Sequence, residues 1–201
     1  KRIESLFSSI RGITEENLML HFSAGVYIIK DYSENLNLMV DKASVAAQTI
    51  KGVLNQHVVY YSKQFDDQTA RNEELKRDLK LAIKNDEFVA FYQPKVDINS
   101  GKLVGAEALI RWQTKDNRLI PPGDFIPLSE KTGLVTDLDM IVFEKVLAFL
   151  RRSLDEGIEC VPISVNFSRL HFANESFLPT LLQTMERYQV PAHLIELELT
   201  E

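Results

Sequence analysis

The feature that most constrains this chain is a change of rhythm at residue 87. From there on, apolar strand patterns alternate with amphipathic helical ones. Strands are predicted at 88–96 and 103–112. A helix opens at Pro121-Pro122 and closes at Gly133, and a longer one runs from 136 to 156 before Gly157. Then come strand 161–168, helix 175–189 and strand 194–200. Strands separated by helices predict parallel pairing through right-handed crossovers, hence an α/β fold. Parallel sheets are covered on both faces, so their strands normally read as apolar runs. These strands do not. Side chains alternate between faces, which sets Val104, Ala106, Ala108 and Ile110 on one face of strand 103–112 and Glu107, Leu109 and Arg111 on the other. Ser164, Asn166 and Ser168 oppose Ile163, Val165 and Phe167, and Glu196, Glu198 and Thr200 oppose Ile195, Leu197 and Leu199. Gln93 shares the face of Val89 and Phe91. The parallel reading places this polar face inside, towards the C-terminal strand ends, where α/β folds build their sites.

The side chains gathered there have a definite chemistry. Glu107, Asn166 and Glu198 are oxygen donors, with no His or Cys among them. Such a set suits Mg²⁺, Mn²⁺ or Ca²⁺ better than zinc. Arg111, four residues from Glu107 on the same face, has the planar fork that grips a phosphate. A cation with an arginine suits a phosphate ester, the metal neutralising phosphoryl oxygens and activating water. The competing reading is a network of buried polar residues that satisfy one another. Glu196, near the start of its strand, is a weaker candidate than Glu198.

The first third of the chain has a different pattern. Residues 1–12 read as a helix end closed by Gly12, and residues 18–29 as a buried strand in which Gly25 marks a bulge or the close approach of another backbone. Residues 36–51 carry a helical stripe of Leu36, Val40, Ala43, Ala47 and Ile50, with Gly52 as the stop, and 57–61 read as a strand. Residues 64–86 are dense in charge, with Leu75, Leu79, Ala82 and Ile83 at helical spacing, and read as a linker helix between two domains. That helix either presents a solvated face with one packed stripe or carries a signal or dimer contact.

Charge and composition exclude several classes. A net charge of −6 argues against DNA binding, which calls for a basic face. No apolar run approaches the roughly 18 residues of a membrane span, so no membrane contact is expected from this segment, and any anchor of a parent protein would lie upstream. Cys160 is the single cysteine. It fits a reducing, cytoplasmic setting, and its apolar neighbours predict packing. Both ends are abrupt: Lys1 opens in helical character and Leu199-Thr-Glu201 closes on a core strand. This predicts a fragment.

Five short motifs follow one another along residues 87–201: Tyr92-Gln-Pro94, Glu107-Ala-Leu109 followed by Ile110-Arg-Trp112, Phe125-Ile-Pro-Leu128, Ser164-Val-Asn-Phe-Ser168 and Glu198-Leu-Thr-Glu201. By these motifs, in this order, residues 87–201 resemble the N-terminal half of an EAL domain, the cyclic-di-GMP phosphodiesterase family. The resemblance implies half of a modified (β/α)8, TIM-like barrel that uses two divalent cations, Mg²⁺ or Mn²⁺, to open cyclic-di-GMP to pGpG. By position, Glu107, Asn166 and Glu198 resemble metal ligands, Arg111 the arginine on a substrate phosphate and Gln93 a substrate-side residue. Glu201 resembles the glutamate that positions a catalytic loop and supports regulation in a homodimer. The family's Asp-Asp pair, a lysine near the attacking water and a further glutamate fall later than residue 201. The chain alone is therefore expected to be inactive. Beside a phosphodiesterase in a GGDEF–EAL parent, two readings stay open: an EAL module that senses cyclic-di-GMP without cleaving it, and a cyclase-dominated protein in which the EAL part is regulatory.

Residues 1–62 resemble the C-terminal part of a GGDEF (diguanylate cyclase) domain through Ser23-Ala-Gly-Val26, Val40-Asp-Lys-Ala43, Ile50-Lys-Gly52 and Tyr60-Tyr61. The signature motif is not in the chain. Lys51 matches a lysine that touches nucleotide phosphate in that family; as a plain helix-end lysine it favours the dipole. The expected organisation is 1–62 GGDEF part, 63–86 linker helix and 87–201 half of an EAL domain.

Overall fold

A computed structural model of the chain describes residues 23–51 and 57–200, the side chain of Thr200 excepted. The chain divides into two units, residues 1–73 and 74–201. The helix expected at 1–12, the first part of the strand expected at 18–29, Gly52 and Glu201 lie outside the described residues.

In the first unit β1 (Ala24–Val26) pairs in parallel with β2 (Val58–Tyr60). Helix α1 (Leu36–Thr49) starts at Asn35, whose side chain accepts the Asn37 N–H at 2.8 Å and satisfies a donor the helix leaves open. Gly25 marks close approach rather than a bulge. A Cβ there would stand 1.7 Å from the Ala43 carbonyl oxygen and 2.6 Å from the Ala47 nitrogen. The described strand is shorter than expected, since Ile28 and Ile29 lie beyond it and are exposed. Of the stripe expected on α1, Ile50 is buried and Ala43 and Ala47 are half-buried, but Leu36 and Val40 are exposed, and Met39 and Ala46 are buried instead. The C-terminal half of the expected stripe is the part that meets Gly25, through the backbone of Ala43 and Ala47.

Helix α2 (Lys63–Lys84) runs across the division, with Leu79 and Ala82 buried. The second unit then carries β3 (Phe88–Val96), β4 (Leu103–Gln113), β5 (Leu119–Ile120), α3 (Pro122–Thr132), α4 (Val135–Asp155), β6 (Ile163–Ser168), α5 (Phe177–Tyr188) and β7 (Ile195–Thr200). The strands form a sheet of order β3-β4-β6-β7, with β5 pairing the end of β4. Parallel pairing holds for β4 with β6 and β6 with β7. It fails for β3, which is antiparallel to β4. The cause is the connection. Residues 97–102 are a tight turn, with the Ser100 N–H on Asp97 Oδ1 at 2.7 Å, the Gly101 N–H on the Asp97 carbonyl at 2.8 Å and Gly101 at φ +66°. A parallel neighbour would need a crossover of about a dozen residues.

Helix α4 covers the apolar face of the sheet. Ala106, Ala108, Ile163, Val165 and Phe167 pack there against Val142, Phe143, Val146, Leu147 and Leu150. The Phe143 and Phe167 rings meet edge to face at 5.6 Å. Burying one such side chain stabilises the fold by about 1.5–3 kcal/mol. A second cluster holds Leu79, Ala82, Phe88, Trp112, Phe125 and Leu138, and the Trp112 indole N–H donates to Glu87 Oε2 at 3.0 Å. Cys160 packs at the edge of the first cluster, as its neighbours predict. Among the described residues no helix is long and apolar enough to cross a membrane.

Candidate functional site

Residues directly opposite one another on paired strands share a face, whichever way the strands run. The register sets Gln93 opposite Glu107, Glu107 opposite Ser164, and Asn166 opposite Glu198. Gln93, Lys95, Glu107, Arg111, Ser164, Asn166, Glu196 and Glu198 therefore share the face that α4 does not cover. The reversal of β3 leaves the expected grouping intact. The expectation of a fully inside face is met only in part. Glu107, Arg111, Asn166 and Glu198 are half-buried, and Gln93 and Glu196 are exposed, because the helical layer lies against the opposite, apolar side.

The central contact joins two candidate ligands: Asn166 Nδ2 donates to Glu107 Oε1 at 2.8 Å. That donation leaves the amide oxygen as the acceptor end of Asn166. Glu198 has a partner that sequence reasoning missed. Lys95 Nζ donates to Glu198 Oε1 and to Ser164 Oγ, both at 2.9 Å, and lies 3.6 Å from Glu196 Oε2. The Lys95 bond, then the Ser164 hydroxyl, hold the Glu198 carboxyl below its ordinary range against the opposing effect of burial. The same bond to Glu198 holds the Lys95 ammonium above its own. The available signal was the alternation itself, which puts Lys95 on the face of Gln93.

Arg111 stands near the C-terminal end of β4. Its Nη1 donates to the Ile110 carbonyl at 2.8 Å, and its guanidinium lies 5.6 Å from the centre of the Phe91 ring. Arg111 and Asn166 line an open cleft of about 210 Å³, walled also by Ile126 and Glu130 of α3 and by Asp139 and Val142 of α4. Asp139 Oδ2 accepts the Ser168 N–H at 2.8 Å and lies 3.1 Å from His171 Nε2. Burial pushes the Asp139 carboxyl up to about 7; the Ser168 N–H opposes that rise and the Glu130 charge adds to it. Burial pushes His171 down, against the Asp137 charge. Both groups are thus driven towards their uncharged forms. Sequence reasoning missed this pair too, although Asp139 shares a helical face with Val142 and Val146. Lys51, past the end of α1, is exposed.

The donor set suits a hard divalent cation. Two carboxylates and one amide, on neighbouring strands, offer oxygen alone. Among the described residues no three His, Cys, Asp or Glu side chains gather as a metal centre, so any cation here would rest on the mixed set of Glu107, Asn166 and Glu198.

The family model of the EAL domain matches residues 76–201. The chain is 33% identical over 202 residues to the signaling protein YkoW of Bacillus subtilis, with 100% of this chain and 25% of that protein covered. It is 31% identical over 191 residues to MucR of Pseudomonas aeruginosa, a bifunctional diguanylate cyclase/cyclic di-GMP phosphodiesterase, with 94% of this chain and 25% of that protein covered. Among solved structures, the c-di-GMP complex of the PaMucR phosphodiesterase superposes with a TM-score of 0.59 at 36% identity, covering 64% of this chain and 52% of that one. The chain spans 25–27% of the length of the first three curated relatives.

Proposed function

The chain belongs to the EAL domain family, and from that premise we propose that it is part of a cyclic-di-GMP phosphodiesterase that opens the cyclic dinucleotide to linear pGpG. One observation carries the reading: Glu107, Asn166 and Glu198 stand on one sheet face, Asn166 bonded to Glu107 and directly opposite Glu198. EAL phosphodiesterases are generally dependent on divalent metals. In this reading the three residues hold Mg²⁺ or Mn²⁺, two ions in the complete domain. When bound, such a cation supplies Lewis acidity for phosphodiester hydrolysis. The Arg111 fork grips a phosphate of cyclic-di-GMP, and Gln93, across from Glu107, contacts the substrate. Glu201 positions a loop. In the same reading residues 87–201 form the N-terminal half of a modified (β/α)8 barrel, residues 63–86 the linker helix and residues 1–62 the C-terminal part of a GGDEF domain. The MucR match, which spans 94% of this chain and a protein described as both cyclase and phosphodiesterase, supports that organisation. Cytoplasmic placement and homodimerisation through the EAL domain belong to the proposal.

The test is turnover of cyclic-di-GMP by the intact protein. Release of pGpG should require Mg²⁺ or Mn²⁺ and should vanish in Glu107→Ala; undiminished turnover in that variant sinks the ligand assignment. A second reading, a module that binds cyclic-di-GMP without cleaving it, draws support from the Lys95 ammonium already seated on Glu198.

A further inference from the structure

The face read as a divalent-cation site already carries a cation. The Lys95 ammonium lies 2.9 Å from Glu198 Oε1, 2.9 Å from Ser164 Oγ and 3.6 Å from Glu196 Oε2. It starts on β3 and reaches β6 and β7 by crossing β4. The crossing point is Gly105, the register partner of Lys95. A Cβ at Gly105 would meet Lys95 Cδ at 3.6 Å and Lys95 Cβ at 3.8 Å, so the lysine stem lies over the one β4 position that has no side chain to meet it. An ammonium on a carboxylate oxygen takes the charge and lone pairs that a hard metal ion uses.

We propose that Lys95 is an internal competitor for the divalent cation: its ammonium holds Glu198 while the site is empty, and so raises the metal concentration at which the site fills. This rests on the reading of Glu198 as a metal ligand. The pair is 40% and 41% exposed, and exposed ion pairs contribute little to stability. Removing Lys95 should therefore alter cation binding far more than the fold.

The experiment is calorimetric titration of Mn²⁺, without substrate, into the intact protein and its Lys95→Met, Lys95→Arg and Glu198→Gln variants, with thermal melts alongside. Lys95→Met should bind Mn²⁺ roughly five-fold more tightly or better, from relief of charge competition. Lys95→Arg should stay near wild type. Unchanged or weaker Mn²⁺ binding in Lys95→Met overturns the proposal, provided Glu198→Gln weakens it. If Glu198→Gln binds like wild type, or wild type takes up no Mn²⁺, the ligand reading itself fails. Should Lys95→Met melt early, Lys95→Gln gives the same readout.

Discussion

Replacing Asp139 by Asn should make the protein more stable at pH 8, and by a clearly smaller margin at pH 5. The side chains of Asp139 and His171 are 13% and 6% exposed. Burial lifts the Asp139 carboxyl to about 7 in the folded protein, against about 3.9 in an unfolded chain. Between those values the folded state keeps a proton that the unfolded state releases, so stability falls as pH rises from about 4 through about 7. The gap of about three pH units corresponds to about 4 kcal/mol, an upper figure for the loss complete above pH 7. Asn copies the neutral acid: its oxygen, in the place of Oδ2, accepts the Ser168 N–H and faces His171 Nε2, which donates as the neutral Nε2–H tautomer. The lowered His171 value works the other way, removing stability as pH falls below about 6.5, and it remains in both proteins. Urea unfolding followed by circular dichroism at pH 5, 6, 7 and 8 gives the measurement. The stability difference between Asp139→Asn and wild type should widen with pH in favour of the variant. A variant destabilised equally at every pH would refute the reasoning, because Asp139 would then be an ionised partner of protonated His171.

Gly25→Ala places a Cβ against the backbone of α1, an overpacking that costs about 1–3 kcal/mol. Hydrogen exchange should speed at the Ala24 and Tyr61 amides, which bond to His57 and Val26, and leave β6 unchanged; protected Ala24 and Tyr61 amides would count against it. If Arg111 grips a substrate phosphate as proposed, Arg111→Ala removes a charge-assisted contact worth about 1.5–3 kcal/mol, and cyclic-di-GMP should bind at least about ten-fold more weakly by calorimetry. Unaltered affinity would make Arg111 a structural residue, held by the Ile110 carbonyl and the Phe91 ring.

The candidate site was legible because a strand's faces are fixed by a period of two. Glu107, Arg111, Asn166 and Glu198 fall on one face from residue spacing alone, and directly paired residues share a face in parallel and antiparallel ladders alike. The error about β3 therefore cost nothing at the site. The helices were less secure. In α1 the spacing found Ala43, Ala47 and Ile50 but set Leu36 and Val40 inward, where the structure buries Met39 and Ala46. Asp139 was readable only as an acid in an apolar stripe, with no hint of His171, which follows 32 residues later.

Alternation of strand and helix, the polar face and its oxygen chemistry came from the chain by itself, because they depend on local geometry. Tertiary structure decided the rest. The short turn at 97–102 folded β3 back antiparallel on β4, which brought Lys95 over Gly105 to Glu198. The packing of α4 carried Asp139 to His171. Contacts between residues far apart in sequence depend on how whole elements pack, and no periodicity encodes them.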